Sequence, residues 1–575
     1  MLNSATIKSI QDIMRKDAGV DGDAQRLGQL TWLLFLKIFN DREVEWELTT
    51  DDYRSPISEE LRWGTWASDP EGITGDGLLD FVNNKLFPGL KGLSPNTSPR
   101  HQVIHDVFED AFQYMKNGTL LRQVINKINE SLDFNRSEDR HVFGDLYEQI
   151  LKDLQSAGNA GEFYTPRAVT QFMVDIINPQ LGEVVLDPAC GTGGFLTCSI
   201  EHLRKQAKTP AEEELLQKSV RGIEKKPLPH LLCVTNMLLH GIDVPTNVKH
   251  DNTLARPLRD YGPKDRVDCI ITNPPFGGME EDGIEDNFPS AFRTRETADL
   301  FLVLILNLLK PGGRAAIVLP DGTLFGEGVK TKIKEKLLTE CNLHTIVRLP
   351  NGVFNPYTGI KTNLLFFTKG EPTKEIWFYD HPYPPGAKSY NKTKPIRIEE
   401  FETEKSWWAN RTVTEQAWRV DFAAQLADAK ARAQPHWDAA KQAEKDATRV
   451  SDRIAELRQQ RDSLAKDLPK NAKAKNQLQT TLDGFDDQIG AARSEEESFR
   501  RLAKTEESAG NSIYDAIFNL DIKNPHDAGV AQADPDELLA DYQRQLAELQ
   551  QTRDRLKDEL MSALIRTTAT EGSVR

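Results

Sequence analysis

The chain has 575 residues, 38% apolar and 28% charged, and a formal net charge of −16; it is too long for one ordinary core and reads as a soluble multi-domain protein. A protein that grips nucleic-acid phosphates over its whole surface is normally basic, so this balance argues against autonomous DNA binding unless a partner reads the DNA or a local basic groove lies within acidic surroundings. Cys190, Cys198, Cys233, Cys269 and Cys341 occur singly, with no Cys-x-x-Cys pair and no clustered His, which argues against a metal site or a disulfide framework and for a reducing compartment.

Residues 1–155 read as a helical domain, with Leu27, Leu30, Leu34 and Ile38 at helical spacing. Turn signals at Pro88-Gly89 and Ser94-Pro95-Asn96 divide it into several helices. The apolar stretch 30–39 is interrupted by Lys37 and is far short of a membrane span, and no signal-peptide pattern stands at the start. A cytoplasmic location without membrane attachment is expected.

Between 156 and 425 short apolar runs alternate with helical segments. Strands are predicted at 184–187, 221–224, 248–250, 267–271, 315–319, 344–348 and 363–368. Apolar runs buried on both faces with helices between them indicate an α/β doubly wound, mostly parallel sheet, whose ligands sit at the carboxyl ends of its strands. Ahead of the first strand lies Glu162-Phe163-Tyr164-Thr165-Pro166-Arg167, which by itself reads as a Thr/Pro helix start. The first strand ends in Asp187 and turns through Gly191, Thr192, Gly193 and Gly194 into a helix. Glycines there let a ligand approach the backbone. A dinucleotide would fit such a turn as readily, but the Asp before it suits a cationic amino-acid moiety better than a pyrophosphate. Glu224 ends the second strand, where a carboxylate can accept both ribose hydroxyls, and the polar segment 208–218 accounts for its long separation from Asp187. Asp251 ends the third strand; it can reach an adenine amine, and an Asx turn explains it almost as well.

The fourth strand runs into Asn273-Pro274-Pro275-Phe276. An Asn side-chain oxygen and the Pro274 carbonyl, stiffened by Pro275, offer two acceptors to a planar amine, and Phe276 offers a stacking face. Two acceptors pulling on the hydrogens of an exocyclic amine favour its pyramidal, nucleophilic form. In isolation, a proline-stiffened turn with a buried Phe is an equal reading. Thr294, Arg295 and Glu296, beyond the polar segment 280–287, suit either a loop closing on a base or helix capping.

Residues 426–575 are rich in Ala, Gln, Glu, Lys and Arg. Val450, Ile454, Leu457, Leu464 and Leu468 fit an a/d repeat with Arg461 as its one charged exception, Leu478, Leu482, Phe485, Ile489 and Ala492 fit another, and a third run spans 539–560. A coiled-coil-like region results, which fits an intrachain hairpin or a partner-binding surface.

In this order, 162–167, 187–195 and Asn273-Pro274-Pro275-Phe276-Gly277 resemble the modification (M) subunit of type I restriction-modification systems, a γ-class adenine methyltransferase. The stretches 311–316, 319–322, 344–350 and 361–370 are similar to that family too, and 143–148 more loosely. The resemblance implies S-adenosylmethionine as methyl donor, with Glu162 to Arg167 folding over it, Thr192 to Gly194 beneath it and Glu224 on its ribose. It implies transfer to the N6 amine of adenine in double-stranded DNA, with the target base flipped out of the duplex. It further implies a separate specificity (S) subunit flanked by two M subunits, a restriction/translocase (R) subunit that can join, and docking of the helical tail on the specificity subunit. Three other readings have less to support them. A glutamine methyltransferase of release factors predicts neither the helical N-terminal domain nor 162–167; a nuclease fusion needs a mixed sheet in the first 150 residues; a catalytically silent scaffold finds Asp187, the glycines and Asn273 all intact.

Overall fold

A computed structural model describes residues 4–49, 51–131, 165–276, 278–355, 358–391, 393–466, 472–526, 552–553 and 555–557. Those up to Ile522 form one compact unit; a second unit, Lys523–Arg575, is described at only a few positions. Glu162, Phe163, Tyr164, the stretch 143–148 and most of the predicted repeat 539–560 lie outside the described residues.

The described N-terminal part is helical throughout. The helix Asp23–Thr49 is buried on nearly every side along Leu30–Phe39, with Trp32, Phe35 and Phe39 fully enclosed, as befits a helix apolar all round. Its neighbours include Phe87–Lys91 and Pro99–Glu109, where Trp32 meets Phe87 edge-on at 5.1 Å and Phe35 meets Phe108 at 6.0 Å. The same apolar cluster continues into helix Pro227–Leu239, which packs against Asp23–Thr49 while Arg42 pairs with Asp243 beside it. Buried Arg122 holds this part together by donating to the carbonyls of Ile73 (2.9 Å), Trp66 (3.0 Å), Asp69 (3.2 Å) and Ala67 (3.3 Å). Arg122→Ala strips those carbonyls of a donor, and we expect urea unfolding to show a loss of about 3 kcal/mol; a loss under about 0.5 kcal/mol, the range of a surface substitution, contradicts that role.

Nine strands form one sheet: β1 (Val185–Asp187), β2 (Val220–Glu224), β3 (Val248–His250), β4 (Val267–Thr272), β5 (Leu309–Pro320), β6 (Cys341–Leu349), β7 (Thr362–Lys369), β8 (Glu375–Asp380) and β9 (Ala417–Asp421), in the order β3-β2-β1-β4-β5-β7-β6-β8-β9. The pairings β3-β2, β2-β1, β1-β4, β4-β5 and β6-β8 are parallel, and only β7 and β9 run against the rest. The doubly wound, mostly parallel expectation holds. Helices Arg167–Ile177 and Thr297–Leu308 bury into one apolar cluster and Pro227–Leu239 into another, with Gly194–Arg204 contributing to both.

Two strands were not foreseen. β8 and β9 are short, lie at one side of the sheet and expose several positions, including Glu375 and Arg419, which pair at 2.9 Å; such stretches lack the continuous apolar signature. β5 also begins earlier than predicted, because it carries Pro311 and Gly312 (φ +78°) beside a register shift between Val267 and Cys269, punctuation that normally marks a loop.

β9 runs straight into the helix Phe422–Lys466, and the chain returns as Ala472–Asp515. The two lie side by side as an intrachain hairpin, with Val450, Ile454, Ile489 and Ala492 buried in the seam. At its root Tyr514 donates to Glu335 (2.7 Å), fastening the hairpin to the sheet domain. No described helix is long and apolar enough to cross a membrane.

Candidate active site

The carboxyl ends of β1, β2 and β4 converge on a cavity of about 340 Å³. Gly191 (φ +52°) and Gly193 (φ +84°) carry the turn after β1 through the left-handed region, which L-residues other than Gly enter at a cost. Gly193 is also sterically required, since an added Cβ would sit 2.7 Å from Cys233 Sγ. Nothing lies within 4 Å of a Cβ placed on Gly191 or Gly194, and both line the cavity, so the turn presents bare backbone to a ligand. All five cysteines are free and buried; Cys190, in the turn, lies 3.8 Å from Cys233 by their sulfurs.

Asp187 lines the cavity although it is 1% exposed, and its Oδ1 accepts from Thr272 Oγ1 (2.6 Å) and Ala189 N (3.1 Å). Burial pushes its carboxyl up to about 7, against the lowering effect of those two donors and with a further push from Glu224. Glu224 accepts from Gly191 N (2.9 Å) and Lys226 N (2.8 Å), which ties β2 to the glycine turn. Burial raises its carboxyl as well. One carboxylate offers about four acceptor positions, and with two of them taken by Gly191 N and Lys226 N, Glu224 keeps capacity for two hydroxyls.

This donor and acceptor set fits a ligand with a cationic head and a diol. Asp187 binds a cation only when ionised; at pH 6 about one-tenth of it is charged and at pH 8 about nine-tenths. Affinity for such a ligand should therefore be about tenfold weaker at pH 6 than at pH 8, a difference that calorimetric titration at the two pH values reads directly and that vanishes if Asp187 plays no part.

On the opposite wall β4 ends at Thr272, and Asn273 follows. Asn273 Nδ2 donates to Thr165 Oγ1 (2.9 Å), while its Oδ1 is buried with no hydrogen-bond partner among the described residues. Thr165 is thus a support for Asn273 rather than a helix cap: the helix Arg167–Ile177 starts after Pro166 with no side-chain cap. Arg167 instead donates to Glu201 (2.6 Å) and Thr197 (3.2 Å) on the helix that follows the glycine turn. Pro275 lines the cavity. Phe276 does not; it is 2% exposed and meets Phe354 edge-on at 6.4 Å.

Asp251 also stays off the cavity wall, exposed, with its Oδ1 on the adjoining Asn252 N (2.8 Å); the Asx turn at this strand end belongs to Asn252, whose Oδ1 accepts from Leu254 N (3.0 Å). Thr294, Arg295 and Glu296 close a loop. Glu280 N donates to Arg295 O (3.0 Å), and Met279 pairs with Glu296. Lys225 then bridges the cavity mouth to Glu280 (3.4 Å) and Glu281 (3.0 Å). The sequence reading missed Thr272, Lys225, Met279 and Glu280 as parts of the site. Thr272 carried a signal, as a polar side chain directly after the apolar run 269–271 at the strand's end; the others adjoin recognised motifs but depend on loop closure.

Residues 138–445 match the family model for N-6 DNA methylases, and residues 3–128 match that for the HsdM N-terminal domain. The chain is 55% identical over 571 residues to the type I restriction enzyme EcoEI methylase subunit of Escherichia coli, covering 98% of each. Among solved structures it resembles a modification subunit from Vibrio vulnificus YJ016, with 48% identity and a TM-score of 0.67 over 73% of this chain and 92% of that one. A chain from a type I R-M system, solved to explain complex assembly and conformational transition, matches with 30% identity and a TM-score of 0.67 over 97% of this chain and 99% of the other.

Proposed function

The chain belongs to the N-6 DNA methylases that serve as methylase subunits of type I restriction enzymes, and from that membership we propose that the cavity transfers a methyl group from S-adenosylmethionine to the N6 amine of a flipped adenine. The observation that carries this reading is the buried Oδ1 of Asn273, which has no hydrogen-bond partner among the described residues. A buried acceptor without a donor costs about 1–3 kcal/mol, and a substrate amine removes that cost.

S-adenosylmethionine, when bound, supplies a methyl group activated by a positively charged sulfur. Asp187 holds its cationic amino-acid end, Glu224 its ribose hydroxyls, and the bare backbone of Gly191, Thr192, Gly193 and Gly194 lies beneath it; Glu162, Phe163, Tyr164, Thr165, Pro166 and Arg167 complete the cover. Asn273 Oδ1 and the Pro274 carbonyl accept the two hydrogens of the amine and turn its lone pair out of conjugation. With the cofactor bound, the nitrogen would take the methyl group as the sulfur–methyl bond breaks, leaving a neutral thioether, and the surplus amine proton would pass to solvent. Thr165 keeps the Asn273 amide from rotating, so the rate gain comes from positioning. Phe276 stacks on the extruded base; its present packing against Phe354 means that the 351–355 loop yields when the base enters. Asp251 is assigned to the adenine moiety of the cofactor, which it reaches only by releasing Asn252 N.

We further assign sequence reading to a separate specificity subunit, flanked by two copies of this chain, with a restriction/translocase subunit able to join. In that assembly 1–155 is a helical domain, 156–425 carries catalysis, and 426–575 docks on the specificity subunit. The site of action is the cytoplasm. Incorporation of labelled methyl groups into DNA, by this chain alone and with a co-expressed specificity subunit, tests the assignment: transfer should require the second subunit, and transfer to protein instead of DNA contradicts it.

A further inference from the structure

In a chain of net charge −16, residues 381–398 carry Lys388, Lys392, Lys394 and Arg397 and no acidic side chain. The segment leaves β8 at the same carboxyl edge as the active-site loops, with His381 N on Arg348 O (2.9 Å). It is held in place from within. Tyr383 Oη donates to Asn351 O (2.9 Å), the carbonyl of buried Tyr390 accepts from Asn355 Nδ2 (3.0 Å), Ile396 is buried, and Asn391 Oδ1 accepts from the backbone of Thr393 and Lys394 (3.0 Å each).

Lys388, Lys394 and Arg397 are nevertheless exposed, and none has an ion pair or side-chain hydrogen bond among the described residues. Lys361, exposed just ahead of β7 on the same edge, is likewise without one. Cations elsewhere at this end of the sheet are committed: Lys225 to Glu280 and Glu281, Lys330 to Glu296 and Asp299, and Arg348 to Asp521. Ordered backbone bearing unspent charge suits a polyanion, because binding it releases counterions at little further ordering cost.

The segment touches the 351–355 loop, whose Phe354 meets Phe276. Along the sheet, β8 is four strand spacings from β4, about 19 Å, the rise of five to six base pairs at about 3.4 Å each. Its exposed face is made of cations and small polar or proline residues, while its aromatic residues are at least half-buried. That composition matches phosphate contacts and lacks the exposed aromatic anchor expected of a protein interface.

We propose that 381–398, together with Lys361, grips the phosphodiester backbone of the duplex beside the target base. This rests on the reading above that the Asn273 loop receives a DNA base. The test is the triple variant Lys388→Gln, Lys394→Gln, Arg397→Gln, assembled with the specificity subunit and titrated with an end-labelled duplex of mixed sequence over a range of salt. The slope of log affinity against log salt should become shallower by about 0.9 per cation, about 2.7 for the three, with cofactor titration confirming an intact fold. An unchanged slope overturns the proposal. So does a folded variant that no longer assembles with the specificity subunit, which makes this face a protein seat. A wild-type complex that methylates no DNA instead defeats the functional reading itself, so the two failures are distinguishable.

Discussion

Asn273→Ala is expected to lower methyl transfer to DNA by on the order of 10³-fold, the loss typical of removing one preorganised polar group from a reacting centre, while cofactor affinity stays close to wild type. The asymmetry follows from position. Asn273 stands across the cavity from Asp187 and Glu224, and its side chain's one hydrogen-bond partner among the described residues is Thr165. Removing its side chain takes away the acceptor for the amine but no group that holds the cofactor. Because Oδ1 has no partner among the described residues, its loss leaves no donor stranded there, and the lost Nδ2 bond to Thr165 costs about 0.5–1.5 kcal/mol, so thermal stability should hold or fall only slightly. Single-turnover rates and calorimetric affinity together check this; a parallel loss of both would make Asn273 a structural residue.

Gly193→Ala should weaken function by a different route. Its φ of +84° costs a non-glycine residue about 1–2 kcal/mol, and the new Cβ, 2.7 Å from Cys233 Sγ, adds an overpacking penalty of about 1–3 kcal/mol. A total near 3 kcal/mol corresponds to roughly a 10²-fold loss of cofactor affinity if the turn shifts to relieve it, and the melting temperature should fall as well. Gly194 is the control within the same turn. Nothing lies within 4 Å of a Cβ there, and its φ lies outside the left-handed region, so Gly194→Ala should weaken cofactor binding by intruding on the cavity while leaving the melting temperature unchanged. Equal melting temperatures for the two variants would contradict this account of the turn.

What was legible in the sequence is what the backbone itself punctuates. Asp187 with its glycines and Asn273 with its prolines are short strings whose local geometry follows from residue type, and both stand at strand ends as expected. Contacts between distant segments were not legible. Thr165 looked like a helix cap because Thr-Pro before a helix usually is one; its partner lies over a hundred residues away, and only the sheet order, which puts β1 beside β4, brings the two loops together. For Phe276 the sequence supports a stacking face and a buried ring equally; its burial against Phe354 comes from a loop between β6 and β7 that no local pattern ties to it. β8 and β9 escaped notice because strands at the side of a sheet lack a continuous apolar run. The net charge concealed 381–398 for a similar reason, since an average over the chain says nothing of where its cations collect.

The central claim is that Asn273 presents an aromatic exocyclic amine to a methyl donor. Nucleoside mass spectrometry of DNA from cells that express this chain with its specificity subunit tests it most directly: N6-methyldeoxyadenosine should appear with the wild-type chain and be absent with Asn273→Ala. Undiminished N6-methyldeoxyadenosine in the variant, or DNA without any methylated amine from the wild-type pair, would contradict it.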